Sequence, residues 1–224
     1  GEEKQLSDMG MRYDLTLPLS RYYAANRAKL PNPFKVIQTD RVFRAERPQK
    51  GCMREFVQCD IDILGDESMN AEIELIDVTA RAMQAIGFAD FTVNINDRRM
   101  LRGMLSAMGF AADQLDSVCI TFDKMDKIGI DGVSRELQEA GYAAEMVEKY
   151  MSLFTDLETA EDGVAYLGEK LGEALPAGVA DNMSTIMNSV KAGASAQFDL
   201  VFDPTLVRGM SYYTGTIFEI AMPE

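Results

Sequence analysis

The sequence predicts an α+β fold into which an all-helical segment, residues 111–195, is inserted. Residues 1–110 mix strand-like and helix-like patterns, and residues 196–224 add two strand-like runs. The middle segment instead repeats apolar residues at spacings of three and four. It holds 16 acids and 6 bases, whereas residues 1–110 hold 16 acids and 15 bases. We therefore expect a near-neutral core and a strongly acidic helical insertion.

The composition excludes several classes of protein and of chemistry. With 224 residues, 47% of them hydrophobic and 26% charged, the chain is of ordinary globular type. No apolar run approaches the roughly 20 residues that cross a membrane, and the polar N-terminus does not fit a signal peptide. Three cysteines without zinc-site spacing predict reduced thiols and a cytoplasmic protein. The absence of histidine excludes His-based nucleophiles and His-ligated metals.

A β-hairpin is predicted between about residues 34 and 64. The stretch FKVIQTDRVF has the mixed composition of a half-exposed strand, and Pro48–Gly51 is typical of a loop. Residues 57–63 then alternate strictly between apolar and polar side chains. A period of two places the polar ones on a single strand face. They are Gln58, Asp60 and Asp62.

The end of this hairpin carries the main concentration of positive charge. Between residues 41 and 54 there are five bases and one acid, a local charge of +4 in a chain of net charge -14. The bases are Arg41, Arg44, Arg47, Lys50 and Arg54, and the acid is Glu46. Such a cluster indicates a site for an anion. An ordinary solvated hairpin explains the charges alone equally well.

The remaining elements follow from periodicity and from helix-ending residues. A helix is predicted over residues 68–87, with Ser68 or Asn70 at its start and Gly87 at its end. A strand over residues 91–97 and a helix over 98–108 come next, and two strand-like runs surround residues 208–215. Within 111–195, apolar stripes predict several helices. The predicted breaks between them are Gly141, Gly163, Gly172 and Pro176.

Three clusters that are far apart in sequence could carry chemistry. They are MRYDLTLPLSR, which contains Asp14 and Thr16; the basic hairpin; and LVRGMSYYTGTIFE, which contains Arg208, Tyr212 and Tyr213. Each alone is explained more simply by capping, solvation or packing. Together they supply positive charge for phosphates, acids and amides for an amine or imidazole, and phenol hydroxyls. This set suits adenylate transfer, in which fixed guanidinium groups stabilise charge on the α-phosphate.

The same segments resemble the signature motifs of one enzyme family. FRAERPQKGCMREFVQCDIDILG is similar to motif 2 of class II aminoacyl-tRNA synthetases, in the form found in histidyl-tRNA synthetases. LVRGMSYYTGTIFE resembles that family's histidine-binding signature, Arg-Gly-x-x-Tyr-Tyr-Thr-Gly. The resemblance extends over essentially the whole chain. It implies a class II antiparallel sheet flanked by helices, with residues 1–110 and 196–224 as the catalytic core and 111–195 as an insertion domain.

The resemblance implies how the amino end of a histidine substrate is bound. MRYDLTLPLSR is similar to the family segment that gives an acid and a threonine to the amino-acid pocket. Asp14 and Gln58 would hold the α-amino group, and Leu15 and Thr16 would line that end. Gln58 and Asp62 are four residues apart in a predicted strand, so both belong to one face.

The resemblance also implies how the imidazole and the reacting phosphate are bound. Asp62 and Tyr213 would contact the imidazole, with Tyr212 beside them. Arg44 would bind both the α-phosphate of ATP and the substrate carboxylate, as a histidine contact as well as a catalytic one. Arg208 would be the catalytic arginine, with contacts to histidine, on the opposite side of the phosphate. We therefore expect Arg44 and Arg208 to converge on one pocket beside Asp62.

Glu46 and Arg54 would complete the motif 2 nucleotide site together with Arg44.

Two positions depart from the family pattern. Cys52 stands where the family usually has an arginine near the γ-phosphate, and Ser211 stands where an aspartate is common. The first difference weakens the expected contact with the nucleotide, whereas the second lies within the tyrosine signature.

The implied reaction is activation of histidine by ATP and Mg²⁺ to histidyl-adenylate, followed by transfer to the 3′ end of tRNA(His). Motif 1 of the family would precede Gly1, and motif 3 and the anticodon-binding domain would follow Glu224. The resemblance thus implies a fragment with weak or no activity alone, from a homodimeric parent enzyme, and it assigns no metal ligands. The alternative is the histidine-sensing regulatory subunit of ATP phosphoribosyltransferase, which shares the fold; the residues retained in the motifs favour the enzyme.

Overall fold

The computed structural model describes residues 9–47, 49–122, 124–194, 198–207 and 213–223. The chain divides into two compact units, residues 1–71 and 72–224. The predicted domain boundaries after residues 110 and 195 both fall within the second unit, and they stay predictions. In the described part of the chain, no helix is long and apolar enough to span a bilayer.

The first unit consists of a helix followed by a hairpin. Helix α1 spans Thr16–Asn26 and continues into a short 3₁₀ turn, Arg27–Lys29. Strands β1, Phe34–Phe43, and β2, Glu55–Leu64, pair antiparallel over all ten residues of each. The hairpin predicted over about residues 34–64 is therefore present with both strands in the expected places.

The hairpin ends in a tight turn. Gln49 and Cys52 exchange two backbone hydrogen bonds, with N···O distances of 3.3 and 2.9 Å. Lys50 and Gly51 are the two central residues, and Gly51 has a φ of +81°, which a residue without a Cβ adopts at little cost. Pro48, at the start of the predicted loop, lies outside the described residues.

The two faces of the hairpin reverse the usual distribution of apolar and polar groups. On the apolar face, Ile37 is 71% exposed and Val57 is 61% exposed. On the opposite face the polar side chains of β2 are half-buried: Gln58, Asp60 and Asp62. Alternation along the strand predicted two distinct faces, and the structure shows that the polar one is withdrawn from water.

The second unit is built on a three-stranded sheet. Helix α2, Met69–Ala85, precedes the sheet strands β3, Thr92–Asp97; β4, Asp199–Phe202; and β5, Thr216–Ala221. Their order is β4-β3-β5. Strand β5 is antiparallel to β3, as predicted for the sheet, whereas β4 is parallel to it. A parallel pair needs a long crossover connection, and the whole helical segment provides it.

The described residues of this crossover form six α-helices. They are α3, Arg98–Ala107; α4, Leu115–Phe122; α5, Met125–Glu139; α6, Ala144–Thr159; α7, Gly163–Leu171; and α8, Val179–Gly193. The predicted breaks separate α5 from α6 at Gly141, α6 from α7 just before Gly163, and α7 from α8 at Gly172 and Pro176. The sequence patterns thus identified the connections in the C-terminal half of the bundle.

Three aromatic rings form the centre of the helical bundle. Phe122 lies edge-on to Tyr150 with ring centroids 4.4 Å apart, and it stacks on Phe154 at 5.5 Å. Tyr150 and Phe154 are themselves 5.0 Å apart in an edge-on arrangement. Because Phe122 belongs to α4 and the other two to α6, this cluster joins helices that are far apart along the chain.

We expect Phe122→Ala to lower the free energy of unfolding of the second unit by about 3–5 kcal/mol, because it removes a buried ring and leaves a cavity. Urea denaturation followed by far-UV circular dichroism measures this change. Ile120→Ala in the same helix is the matched control, since Ile120 is 56% exposed. Equal losses in the two variants would contradict the assignment of Phe122 to the core.

Candidate functional site

The candidate site is built on the polar face of β2. Phe56, Gln58, Asp60 and Asp62 occupy alternate positions there, and each is half-buried. A shift of one residue in the pairing with β1 would turn all four to the other face, so the register determines the site. In the observed register Gln38 of β1 lies opposite Asp60, and its side-chain amide donates to Asp62 Oδ2 at 3.4 Å.

The segment before α1 adds a third carboxylate. Asp14 Oδ1 accepts the backbone N–H of Leu17 at 3.2 Å, in the first turn of α1. Leu15 is buried, which anchors the start of the helix. This segment is also tied to β1, because the Phe43 N–H donates to the Arg12 carbonyl at 2.8 Å. Backbone pairing at Arg12 therefore places the residues that follow it beside the end of β1.

Arg44 supplies a positive charge that two aromatic rings hold in position. Its Cζ atom lies 4.3 Å from the ring centroid of Tyr13 and 5.0 Å from that of Phe56. Its Nε–H also donates to the Tyr13 carbonyl at 3.4 Å. Stacking on aromatic faces favours guanidinium over ammonium, and arginine stays charged in such surroundings. The site therefore contains a fixed cation next to its carboxylates.

The pKa values of two carboxylates in the site are raised. Burial raises the pKa of Asp60, the charges of Asp62 and Asp14 raise it further, and Arg44 opposes the increase. Burial also raises the pKa of Asp62, against the hydrogen bond from Gln38. Three carboxylates thus share their surroundings with one guanidinium, and the local excess of negative charge favours a cationic ligand.

Gln58 provides independent support for a ligand that donates hydrogen bonds. Its side-chain Oε1 is buried and has no hydrogen-bond partner among the described residues. A buried acceptor without a donor costs about 1–3 kcal/mol of stability, which a ligand N–H group at this position would recover. The arrangement can therefore bind a small molecule that carries N–H donors for the carboxylates and Gln58, and an anionic group for Arg44.

Several predicted site residues are brought together in the first unit. Asp14, Arg44 and Asp62 all act on Asp60, which places them around a common centre. Gln58 belongs to the same strand face. Leu15 and Thr16, predicted to line the amino end, directly follow Asp14 at the start of α1.

The other predicted residues lie elsewhere along the chain. Arg54 Nε–H donates to the Glu46 carbonyl at 3.1 Å, which connects these two nucleotide-site candidates near the end of the hairpin. Tyr213 belongs to the second unit and is about half-exposed. Arg208 and Tyr212 lie outside the described residues. The convergence of Arg44 and Arg208 beside Asp62 therefore stays a prediction.

Four side chains of the site were not among the predicted binding residues: Tyr13, Gln38, Phe56 and Asp60. Two of them carried a usable signal, since Phe56 and Asp60 share the period-two face of Gln58 and Asp62. Tyr13 and Gln38 carried none, because their contacts depend on strand register and on the path of the chain before α1.

Mg²⁺ would not be held here by the protein alone. The described parts of the chain contain no group of three or more cysteine or acidic side chains arranged to hold a metal ion. Sites for Mg²⁺ on nucleotides commonly use one or two carboxylates together with substrate phosphates. The residues present are compatible with Mg²⁺ that enters together with ATP.

A model of the family described as histidyl-tRNA synthetase matches residues 2–224. The chain belongs to this family. The histidine–tRNA ligase of Leifsonia xyli subsp. xyli is 45% identical over 228 residues, which cover 100% of this chain and 52% of that protein. The chain thus spans about half the length of the curated relatives that it matches. The family implied by the three sequence motifs is confirmed.

Solved structures of the family share the fold. A crystal structure of histidyl-tRNA synthetase from Nostoc sp. PCC 7120 has a TM-score of 0.79 and 26% identity, covering 94% of this chain and 49% of that one. A protein from Bacillus halodurans C, described as an ATP phosphoribosyltransferase regulatory subunit/histidyl-tRNA synthetase, has a TM-score of 0.75 and 21% identity, covering 94% of this chain and 54% of that one. The latter shows the fold alone, and the predicted class II architecture is confirmed.

We expect Asp60→Asn to raise the melting temperature at pH 7. The folded-state pKa of Asp60 is raised above its ordinary value of 3.8, so ionisation costs stability above that pH. The native protein binds this proton more tightly than the unfolded chain, so wild-type stability falls as pH rises through the interval above 3.8. The gain from Asp60→Asn should therefore shrink as the pH approaches 3.8.

Scanning calorimetry at a series of pH values measures this difference. Glu55→Gln is the matched control, because it removes a negative charge from the exposed end of the same strand. A melting temperature that falls in Asp60→Asn at pH 7 would show that the carboxylate is stabilising, contrary to the arrangement described.

Proposed function

We propose that this chain is the part of a histidine–tRNA ligase that binds histidine and ATP and forms histidyl-adenylate. The complete enzyme would then transfer histidine to the 3′ end of tRNA(His). One structural observation carries the proposal beyond family membership: hydrogen-bond acceptors in excess, including the buried Gln58 Oε1, lie close to an arginine stacked between two rings. Histidine has N–H donors for the excess acceptors and a carboxylate for Arg44.

Histidine recognition would use both ends of the polar face. The α-ammonium group would meet Asp14 and Gln58, and the imidazole N–H would meet Asp62, with Tyr212 and Tyr213 contributing from the signature segment. Buried acceptors reject an amino acid that cannot donate to them, because they are then left unpaired. Such a site excludes apolar isosteres of histidine far better than an apolar pocket could.

Adenylate formation needs charge stabilisation rather than a general base. The histidine carboxylate is already ionised near pH 7, and one of its oxygens would form a bond to the α-phosphorus of ATP. The bond from that phosphorus to the oxygen bridging to the β-phosphate breaks, and pyrophosphate leaves. Arg44 on one side and Arg208 on the other would stabilise the charge that grows on the α-phosphate. Glu46 and Arg54 would hold the rest of the nucleotide.

Mg²⁺ would neutralise part of the charge on the ATP phosphates. The tRNA would be bound largely outside this chain, because a net charge of -14 opposes contact with a polyanion. We place the complete enzyme in the cytoplasm as a homodimer, in agreement with the sequence expectations and with three free thiols.

The test is histidine-dependent exchange of labelled pyrophosphate into ATP, measured on the full natural polypeptide that contains these 224 residues. We expect exchange with histidine and none with other amino acids. Histidine binding without exchange, with both measured on the same preparation, would replace the proposal with the regulatory-subunit alternative. Absence of both would reject any role in handling histidine.

Arg44→Lys should reduce the exchange rate about a hundredfold, because an ammonium group can neither stack between the rings of Tyr13 and Phe56 nor contact two oxygens. Arg41→Lys is the matched control. Arg41 lies three residues earlier, is exposed, and contacts Glu55 at 3.0 Å. Exchange should stay within about twofold of wild type in this control, since exposed ion pairs contribute little. Equal rates in the two variants would remove Arg44 from the reaction.

Arg208→Ala should abolish exchange while the melting temperature stays close to that of the wild type. The lost guanidinium would be one of two that stabilise the transition state, and such contacts contribute about 10²–10³ in rate each. Single-turnover formation of labelled histidyl-adenylate measures the effect directly. Wild-type rates in Arg208→Ala would show that the signature arginine is not catalytic.

A further inference from the structure

Three consecutive polar residues, at the end of β3 and the start of α3, are fully buried. Asn96, Asp97 and Arg98 are 0%, 1% and 1% exposed, and they are the buried polar residues of the described part of the chain. Burying such groups is costly unless they are hydrogen-bonded, so their partners indicate what they do. Those partners lie on both sides of the segment that carries the Arg-Gly-x-x-Tyr-Tyr-Thr-Gly signature.

Asn96 holds the N-terminal side of that segment. Its Nδ2 donates to the carbonyl of Leu206 at 3.1 Å, across 110 positions of sequence. Its Oδ1 accepts the backbone N–H of Asp97 at 2.8 Å, which orients the amide. Ile95, the residue before Asn96, makes a further contact: its carbonyl accepts the Asp203 N–H at 2.9 Å. Leu206 and its neighbour Val207 are buried, so this end is anchored by packing as well.

Asp97 and Arg98 hold the C-terminal side. The Arg98 backbone N–H donates to the Gly215 carbonyl at 2.9 Å. The Thr216 hydroxyl donates to Asp97 Oδ2 at 3.4 Å, and Asp97 and Thr216 are paired in the β3–β5 register. The two attachments are at the last residue of the signature, Gly215, and at the first residue of β5, Thr216.

The Asp97 carboxylate is itself locked in place. Oδ1 accepts the backbone N–H of Arg99 at 2.7 Å, which caps the N-terminus of α3. The Arg99 side chain donates hydrogen bonds to both Asp97 carboxylate oxygens, with Nε 2.9 Å from Oδ1 and Nη2 2.7 Å from Oδ2. A bidentate guanidinium contact on a capping carboxylate leaves little rotational freedom. The partner that holds Thr216 is therefore rigid.

We propose that Asn96, Asp97 and Arg98 are positioning residues for histidine binding, and we name them the β3 clamp. The clamp attaches Leu206, two residues before the signature, and Gly215, its last residue, to neighbouring positions where β3 ends and α3 begins. The inference rests on the proposed function, because it assigns the signature to the histidine pocket. The clamp touches no substrate and acts through the signature, which includes Tyr213.

The reaction rate and the affinity for the substrate depend steeply on where the binding side chains lie. An error of about 1 Å in their position can cost a hundredfold in rate. The clamp should therefore affect the KM for histidine more than the KM for ATP, because the proposed ATP contacts apart from Arg208 are on the β1–β2 hairpin. A merely structural role would reduce stability and affect both substrates alike. A raised KM for histidine with a nearly unchanged KM for ATP therefore indicates the positioning role. Equal changes in the two KM values indicate a merely structural role.

The first arm of the test is pyrophosphate exchange in the full natural polypeptide. Asn96→Ser and Asp97→Asn should each lower kcat/KM for histidine about tenfold or more, with the KM for ATP changed less than about twofold. Asparagine still caps a helix, so Asp97→Asn keeps the start of α3 while weakening the contacts to Arg99 and Thr216. Asn94→Ser, two positions earlier on the same strand face, is the matched control.

Thr216→Val is a second variant, which tests the clamp even if the other variants fail to fold. Valine has nearly the shape of threonine and lacks only the hydroxyl that donates to Asp97. Its control is Thr92→Val, at the opposite end of the β3–β5 pairing, where Thr92 lies opposite Ala221. Thr216→Val should weaken histidine use in the same direction as Asp97→Asn, and Thr92→Val should not.

The second arm does not depend on activity. Amide hydrogen exchange of peptides covering residues 204–220 should be faster in Asn96→Ser and Thr216→Val than in the two controls, while peptides from α6 stay unchanged. If the wild type lacks histidine-dependent exchange, the proposed function fails, and this measurement still decides whether the clamp holds the segment. Unchanged amide exchange, or equal losses for histidine and ATP, would overturn the clamp.

Discussion

A carboxylate that folding removes from water must gain a proton or meet a donor, and the β1–β2 hairpin places two of them on one half-buried strand face. Burial raises the pKa of Asp60, and the charges of Asp62 and Asp14 raise it further against the opposing effect of Arg44. Burial also raises the pKa of Asp62, against the hydrogen bond from Gln38. The first unit therefore favours a ligand that is cationic and that donates hydrogen bonds. Under the proposed function, the ammonium and imidazole groups of histidine would satisfy that requirement, and the stacked Arg44 would receive its carboxylate.

The same constraint organises the second unit around β3. Three consecutive buried polar residues, Asn96 to Arg98, lie where β3 ends and α3 begins. They form hydrogen bonds to Leu206, Gly215 and Thr216, which lie more than a hundred positions away in sequence. The helical crossover between β3 and β4 thus has a geometric consequence. It returns the chain parallel to β3, so that the flanks of the signature reach the end of the strand. In both units, the residues with proposed functional roles include polar groups that folding at least partly removes from water.

Much of the candidate site could be read from the chain before any coordinates, and the omissions have specific causes. The alternation of β2 placed Gln58 and Asp62 on one face, and that face also contains Phe56 and Asp60. The family motif assigns no role to these two residues. The Tyr13 ring against Arg44 could not be predicted, because the Arg12–Phe43 backbone contact that brings it there joins residues 31 positions apart.

The amino-acid order alone determined the local features: the period-two strand face, the apolar stripes of the helices, the basic hairpin and the three motifs of the family. These depend on the geometry of single strands and helices, which repeats every two or 3.6 residues. Only the tertiary structure decided that the polar face of β2 is the buried one, and that Asn96 meets Leu206. Burial and long-range hydrogen bonds are properties of packed neighbours, and no local period encodes which neighbours those will be.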